Sequence, residues 1–171
     1  MIHLNIGSNL VSKYGSRIKN IIIAIDLLIK SKIKIKKISN FYETPSYPNK
    51  NFPSFVNIGL TIDFADGHHD LLKKIKLIEK KLGRIKTKKN DPRIIDIDII
   101  DFNSIIKDDS TLILPHPKCH LRNFVLFPIL QIDPNWSHPI LKKNARFLIN
   151  KLSQKLRIEI TRLQKNANIQ I

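Results

Sequence analysis

Cysteine occurs once in these 171 residues, glycine five times, and acidic side chains number 14 against 30 lysines and arginines. The lone Cys119 cannot close an internal disulfide, and no Cys/His cluster has zinc spacing, which points to a reducing compartment and no structural zinc. Cys119 is expected to be a bystander. Residues 1–6 lack the basic and apolar stretches of a signal peptide, and the longest apolar run, residues 21–25, is far too short to span a bilayer. The expectation is therefore a soluble cytoplasmic protein without a membrane partner. Internal repeats and low-complexity tracts are also missing. With 42% hydrophobic and 26% charged residues, the chain fits one globular domain, 1–171, built on one core.

The formal charge is +16. Such an excess can mark a nucleic-acid partner. Here, however, lysine is scattered and alternates with isoleucine, as in Lys32-Ile33-Lys34-Ile35-Lys36, the pattern that codon drift in an A+T-rich genome would produce. A solvated surface is the expectation, with no specific nucleic acid bound.

Periodicity orders the first hundred residues. Ile2, Leu4 and Ile6 alternate with His3 and Asn5 and then meet Gly7-Ser8-Asn9, a short strand entering a tight loop. Residues 16–30 carry Ile18, Ile21, Ile22, Ile25, Leu28 and Ile29 at helical spacing. Residues 33–42 alternate again up to Pro45, and a loop rich in Asn, Pro and Ser follows. Val56, Ile58, Leu60, Ile62 and Phe64 make the cleanest strand, with Phe55, Asn57 and Gly59 on its other face. A second amphipathic helix runs over 69–82 and closes at Gly83. Another strand begins near Ile94. The order β-α-β-β-α-β predicts an α+β, ferredoxin-like core, its antiparallel sheet covered by two helices on one face and open on the other, followed by a C-terminal extension. In that extension the apolar segment 124–132 is expected to break at Pro128, a helix is expected over 144–152, and the tail after Arg157 is ambiguous.

Chemistry concentrates in Arg93-Ile94-Ile95-Asp96-Ile97-Asp98-Ile99. Side chains alternate in a strand, so Asp96 and Asp98 share one face while the isoleucines pack on the other. Paired carboxylates suit Mg²⁺, which uses one or two of them together with substrate phosphates, although a solvated acidic edge gives the same pattern. Nearby cations shift the balance: Arg84, Lys86, Lys88, Lys89 and Arg93 lie just upstream and Arg122 beyond a loop, so metal-binding acids sit beside phosphate-binding bases. That is the composition of a phosphoryl-transfer site. No GxxxxGK[ST] loop or kinase glycine-rich loop is present, so a nucleotide must be held otherwise. Glu79, near the end of the second helix where the dipole disfavours an anion, is either a ligand contact or a surface partner of Lys73, Lys76 or Lys80. His116, stiffened between two prolines, could face a phosphate or belong to an ordinary loop. Phe55 and Asn57 suit a flat heterocycle, or equally core filling beside a satisfied amide.

Together, Ile6-Gly7-Ser8-Asn9-Leu10, Phe41-Tyr42-Glu43-Thr44-Pro45, the stretch 52–57, Ile78-Glu79-Lys80-Lys81-Leu82-Gly83-Arg84, Asp91-Pro92-Arg93-Ile94-Ile95-Asp96-Ile97-Asp98, Leu114-Pro115-His116-Pro117 and Arg122-Asn123-Phe124-Val125-Leu126 resemble the 6-hydroxymethyl-7,8-dihydropterin pyrophosphokinase family. The resemblance spans residue 6 to about residue 139. It implies a ferredoxin-like core, ATP as co-substrate, two Mg²⁺ ions, and transfer of the β,γ-pyrophosphoryl group to the pterin hydroxymethyl with release of AMP, in folate biosynthesis. It implies metal ligation by Asp96 and Asp98, and ATP contacts from Glu79, Arg84, Lys86, Arg93, His116 and Arg122, with Arg84 and Arg93 catalytic. A pterin pocket lined by Thr44, Pro45, Phe55, Asn57 and Phe124 is also implied, in a monomer acting on small molecules. Many members have Trp-Gly-Pro-Arg where this chain has Asn90-Asp91-Pro92-Arg93, and a second arginine where Lys86 stands. Phe55 takes the place of a tyrosine. The two rivals are an RNA-binding sheet, which the paired aspartates would oppose, and another Mg²⁺-dependent transferase on the same fold, which only the pterin-side residues distinguish.

Overall fold

A computed structural model describes residues 1–85 and 91–163. All seven residues of strand β1, Ile2–Ser8, are buried, His3 and Asn5 included, because β1 lies in the middle of an antiparallel sheet. On one side it pairs with β5 (Asp96–Phe102) and on the other with β4 (Phe55–Asp63). The outer edge of β4 is shared by two short strands, β2 (Lys34–Ile38) and β3 (Tyr42–Thr44).

The alternation over 33–42 is therefore one extended run divided in two. At the break the Ser39 hydroxyl accepts the Gly59 N–H at 2.9 Å while Ser39 N donates to Gly59 O at 3.0 Å. A side chain thus takes up a ladder bond and frees the backbone to bend.

Helix α1 (Arg17–Lys30) starts where the Ser16 hydroxyl accepts from Lys19 N at 3.3 Å, and it buries Ile21, Ala24, Ile25 and Leu28. Helix α2 (His68–Lys81) buries Leu71, Ile75 and Ile78, and Gly83 beyond it adopts φ +90°, the left-handed conformation that ends helices. Both pack on the face carrying Leu4, Ile6, Ile58, Leu60 and Ile97, and together these residues form the main core. The β-α-β-β-α-β order read from the sequence is the observed one.

The opposite face is not wholly open. Helix α3 (Asn123–Ile132) lies across it, and a Cβ added to Gly59 would sit 2.8 Å from Pro128 Cβ. Only glycine lets the helix approach the strand so closely. A second apolar cluster, including Ile100, Val125, Leu126, Ile129, Trp136 and Leu148, joins α3 to α4 (Ala145–Lys151). Pro128 does not break its segment. The carbonyl left without an N–H by a proline is that of the residue four earlier, Phe124, and the Asn5 side-chain amide, in the orientation that satisfies its surroundings, donates to Phe124 O at 2.9 Å and to Ile58 O at 3.1 Å. A non-local hydrogen bond replaces the missing local one.

The remaining elements are a β6–β7 ladder (Lys107–Asp108 with Ile113–Leu114), a 3₁₀ turn at Cys119–Leu121, α5 (Gln154–Ile158) and β8 (Thr161–Arg162), which extends the sheet beside β3. Among the described residues, no helix is long and apolar enough to cross a membrane.

Candidate functional site

Sheet register builds the site floor. Gly7 of β1 faces Asp96 on one side and Asn57 on the other, and Asn57 faces Tyr42; one row inward, Asn5 lies between Asp98 and Gly59. Strand alternation puts Asp96, Asp98, Asn5, Gly7, Asn57 and Gly59 on the face that α3 covers. Because α3 meets that face at Gly59 and its first turn is tied to Asn5, the row Asp96–Gly7–Asn57 lies beyond it.

The two aspartates differ in their surroundings. The Asp96 carboxylate is 2.7 Å from Arg84 Nη1 and 3.0 Å from Arg93 Nη1. Asp98 has only weaker company, the Arg122 guanidinium at 3.6 Å and the His116 ring at 3.9 Å. Burial of its carboxylate and repulsion from Asp96 push Asp98 up to about 7, against the pull of Arg122. With 29% of the Asp98 side chain still exposed, solvent moderates that cost. An under-neutralised pair of hard oxygen donors at the open end of a strand is a donor set that fits a divalent cation such as Mg²⁺.

Arg84 is braced from below. Glu79, 2% exposed, gives one oxygen to Arg84 Nη1 and to Ile97 N (2.9 Å), and its other oxygen to Lys76 Nζ at 2.9 Å. Glu79 thus joins α2 to β5 from inside. Burial works against the Arg84 charge, but Asp96 and Glu79 outweigh it and hold the guanidinium protonated above its usual range. Burial, reinforced by Arg122, lowers His116 to about 4, so its ring is neutral at pH 7. Lys118 N donates to its Nδ1 at 3.2 Å and Arg122 Nη1 lies 3.3 Å from Nε2, so both ring nitrogens face donors, Nε2 being the one nearer Asp98. Lys86, read as an ATP contact, lies outside the described residues, as do Lys88, Lys89 and Asn90.

On the other side of Gly7, Asn57 Nδ2 donates to Thr44 Oγ1 at 3.3 Å, and both residues are buried. A Cβ on Gly7 would meet Asn57 Oδ1 at 2.8 Å and the Phe55 ring at 3.5 Å, so glycine keeps a gap open between amide and aromatic. Phe124 is half-buried with the Arg122 guanidinium 5.4 Å from its ring centre, and Pro45 is exposed. A cavity of about 290 Å³ opens beside Asp98, lined by Leu72, Ile97, Ile99, Thr111 and Leu112 among others. A larger one, about 440 Å³ around Ile2 and Ile62, lies at the opposite ends of the strands, away from the aspartates.

Two residues absent from the expected site turn out to organise it. Arg17 Nη1 reaches Ser54 O at 2.7 Å and Glu43 at 2.8 Å, and Asn9 bonds both Pro53 and Arg93. Their local signals, a helix N-terminus and an asparagine after Gly7-Ser8, are too common to single them out. Cys119 is buried and its thiol is pushed up to about 12, chiefly by burial. It lies near His120 and His138, but His138 Nδ1 accepts from Ile140 N and Leu141 N at 3.2 Å. That leaves the ring proton on Nε2, so neither nitrogen offers a free lone pair.

The family model described as 7,8-dihydro-6-hydroxymethylpterin-pyrophosphokinase (HPPK) matches residues 3–134. The 2-amino-4-hydroxy-6-hydroxymethyldihydropteridine pyrophosphokinase of Aquifex aeolicus is 37% identical over 142 residues, covering 83% of this chain and 86% of that protein. The folic acid synthesis protein fol1 of Pneumocystis carinii is 37% identical over 139 residues, 81% of this chain but 18% of the relative, so the chain spans about a fifth of that longer protein. Wild-type HPPK-DHPS of Plasmodium falciparum has a similar fold, with a TM-score of 0.65 at 17% identity, covering 94% of this chain and 47% of that one.

Proposed function

The chain belongs to the 7,8-dihydro-6-hydroxymethylpterin-pyrophosphokinase family, and from that premise we propose that it transfers the β,γ-pyrophosphoryl group of ATP to the hydroxymethyl of 6-hydroxymethyl-7,8-dihydropterin, releasing AMP, as a step of folate synthesis. The observation that carries this reading is the pair Asp96 and Asp98, one flanked by two arginines and the other under-neutralised, at the end of a floor whose far side offers an amide and an aromatic ring.

Asp96 and Asp98 would hold Mg²⁺, two ions by the family resemblance, and the metal would supply charge neutralisation to the triphosphate. Arg84 and Arg93, now on Asp96, are placed to exchange that carboxylate for phosphate oxygens, and Glu79 acts through Arg84 by holding it. Arg122 adds a further donor, held beside the neutral His116 ring at 3.3 Å from its Nε2. The cavity beside Asp98, with apolar walls from Leu72, Ile97, Ile99 and Leu112 and polar ones from Lys76, Ser110 and Thr111, would take the adenine base. Asn57 spends its N–H on Thr44 and keeps Oδ1 toward the gap above Gly7, where it can accept from an N–H edge of the pterin. Phe55 and Phe124 supply aromatic surface to the ring, with Thr44 and Pro45 beside it. The reaction forms a bond from the pterin oxygen to the β-phosphorus, breaks the bond from that phosphorus to the bridging oxygen, which leaves with AMP, and gives up the hydroxyl proton. We take the acting form to be a cytoplasmic monomer with two small-molecule substrates.

Parallel reactions with [β-³²P]ATP and [γ-³²P]ATP test the reading. Both labels should enter the pterin product, with AMP formed in equal amount. Transfer of γ-label alone with accumulation of ADP would show an ordinary kinase instead.

A further inference from the structure

Asn9 follows β1 and is 1% exposed, yet every polar group of its side chain is engaged. Its Nδ2 donates to Ser46 Oγ at 3.3 Å and to Pro53 O at 3.2 Å; its Oδ1 accepts Arg93 N at 2.7 Å, and its own N–H donates to Arg93 O at 3.2 Å. Ser46 Oγ in turn donates to Pro53 O at 2.5 Å. These partners belong to two different parts of the site. Ser46 and Pro53 are at the two ends of the loop between β3 and β4, just inside Thr44 and Phe55, the pterin-side residues at its borders. Arg93 carries the guanidinium that meets Asp96 at 3.0 Å.

We propose that Asn9 is a positioning residue that couples the two half-sites: one amide, fixed to the end of β1, draws the β3–β4 loop together over the pterin side and holds the Arg93 backbone on the phosphate side. The proposal deepens the pyrophosphokinase reading and rests on it. Its physical basis is shared ordering. A ligand that settles the loop settles the Asn9 amide, and an ordered amide leaves less freedom to be lost when the second ligand settles Arg93. Coupling of this kind is reciprocal, so each substrate should strengthen the other by the same factor. Among the described residues, neither loop end makes a hydrogen bond of its own to Arg93, so the amide is the direct link between them.

Calorimetry on the full chain with 6-hydroxymethyl-7,8-dihydropterin, and with a non-hydrolysable ATP analogue plus Mg²⁺, separately and together, tests this. In the wild type each ligand should lower the Kd of the other by at least about fivefold. In Asn9→Ala that factor should fall below about twofold, while each ligand alone binds within about threefold of wild type. Ser46→Ala, which loosens the loop and leaves Asn9 on Arg93, should reduce the factor as well, and it serves if Asn9→Ala does not fold. A merely structural asparagine would weaken both ligands and leave their mutual enhancement intact. Enhancement within about twofold of wild type in the variants, or none in the wild type itself, overturns the coupling role. A wild-type chain that binds neither ligand overturns the activity reading instead.

Discussion

Replacing Asp98 with asparagine removes a charge that the metal-free fold holds against both burial and Asp96, so the variant should melt higher than the wild type at pH 8 in chelator. Raising the group from 3.8 to about 7 corresponds to at most about 4 kcal/mol of destabilisation once the pH exceeds the folded value. Solvent reaches 29% of the side chain, and screening there reduces the expected gain to about 1–2 kcal/mol, or roughly 2–8 °C in Tm for a chain of this size. The sign follows from proton counting. A carboxyl whose folded value is raised binds more protons folded than unfolded between 3.8 and about 7, so its penalty is absent below that window, grows as pH rises through it, and is complete above it. At pH 5 the advantage of the variant should therefore be smaller than at pH 8. Thermal melts of both proteins at the two pH values, each with and without Mg²⁺, provide the check. The wild type should gain Tm on adding Mg²⁺ and the variant little, and turnover of the variant should be lost. A pH-independent difference, or a variant less stable at pH 8, would refute the electrostatic account of this pair.

Gly7→Ala should weaken pterin binding by about tenfold or more while nucleotide binding stays near wild type, because the added Cβ meets Asn57 Oδ1 at 2.8 Å on the pterin side alone; separate titrations distinguish the two. Gly59→Ala forces α3 off the sheet at Pro128 and should cost about 1–3 kcal/mol in denaturant unfolding. His116 is lowered from 6.5 to about 4 by burial, so the unfolded chain binds its proton first. Stability should fall as pH drops through that window, and His116→Gln should flatten the fall in a pH series of melts. Scattered lysines should give only weak, sequence-independent nucleic-acid binding that physiological salt removes, and a filter-binding salt titration reads it.

The pairing of Asp96 with Asp98 was legible because period-two alternation is a local rule: the two had to share a face wherever the strand ran. The helices over 17–30 and 68–81 were legible for the same reason, at period 3.6. What escaped were contacts between residues far apart in the chain. Glu79 looked like a surface or ligand-facing acid until the fold brought Ile97 N onto its carboxylate. The open sheet face and the break at Pro128 were both inferred from local rules, and one distant region overturned both: Gly59 makes room for the proline, and Asn5 bonds the carbonyl it orphans. Asn9 joins Ser46, Pro53 and Arg93, separated from it by 37, 44 and 84 positions, and no spacing rule reaches that far.

The face of β1 that carries His3 and Asn5 beneath α3 also carries Gly7 at the open end, so a single alternation serves as wall for the interior and as floor of the candidate site. A slip of one residue against β4 or β5 would turn Gly7 away from the gap in the same movement that drove Asn5 away from Phe124. The chain cannot misalign its site and still seat α3. Seating of α3 and assembly of the candidate site are thereby one event in folding.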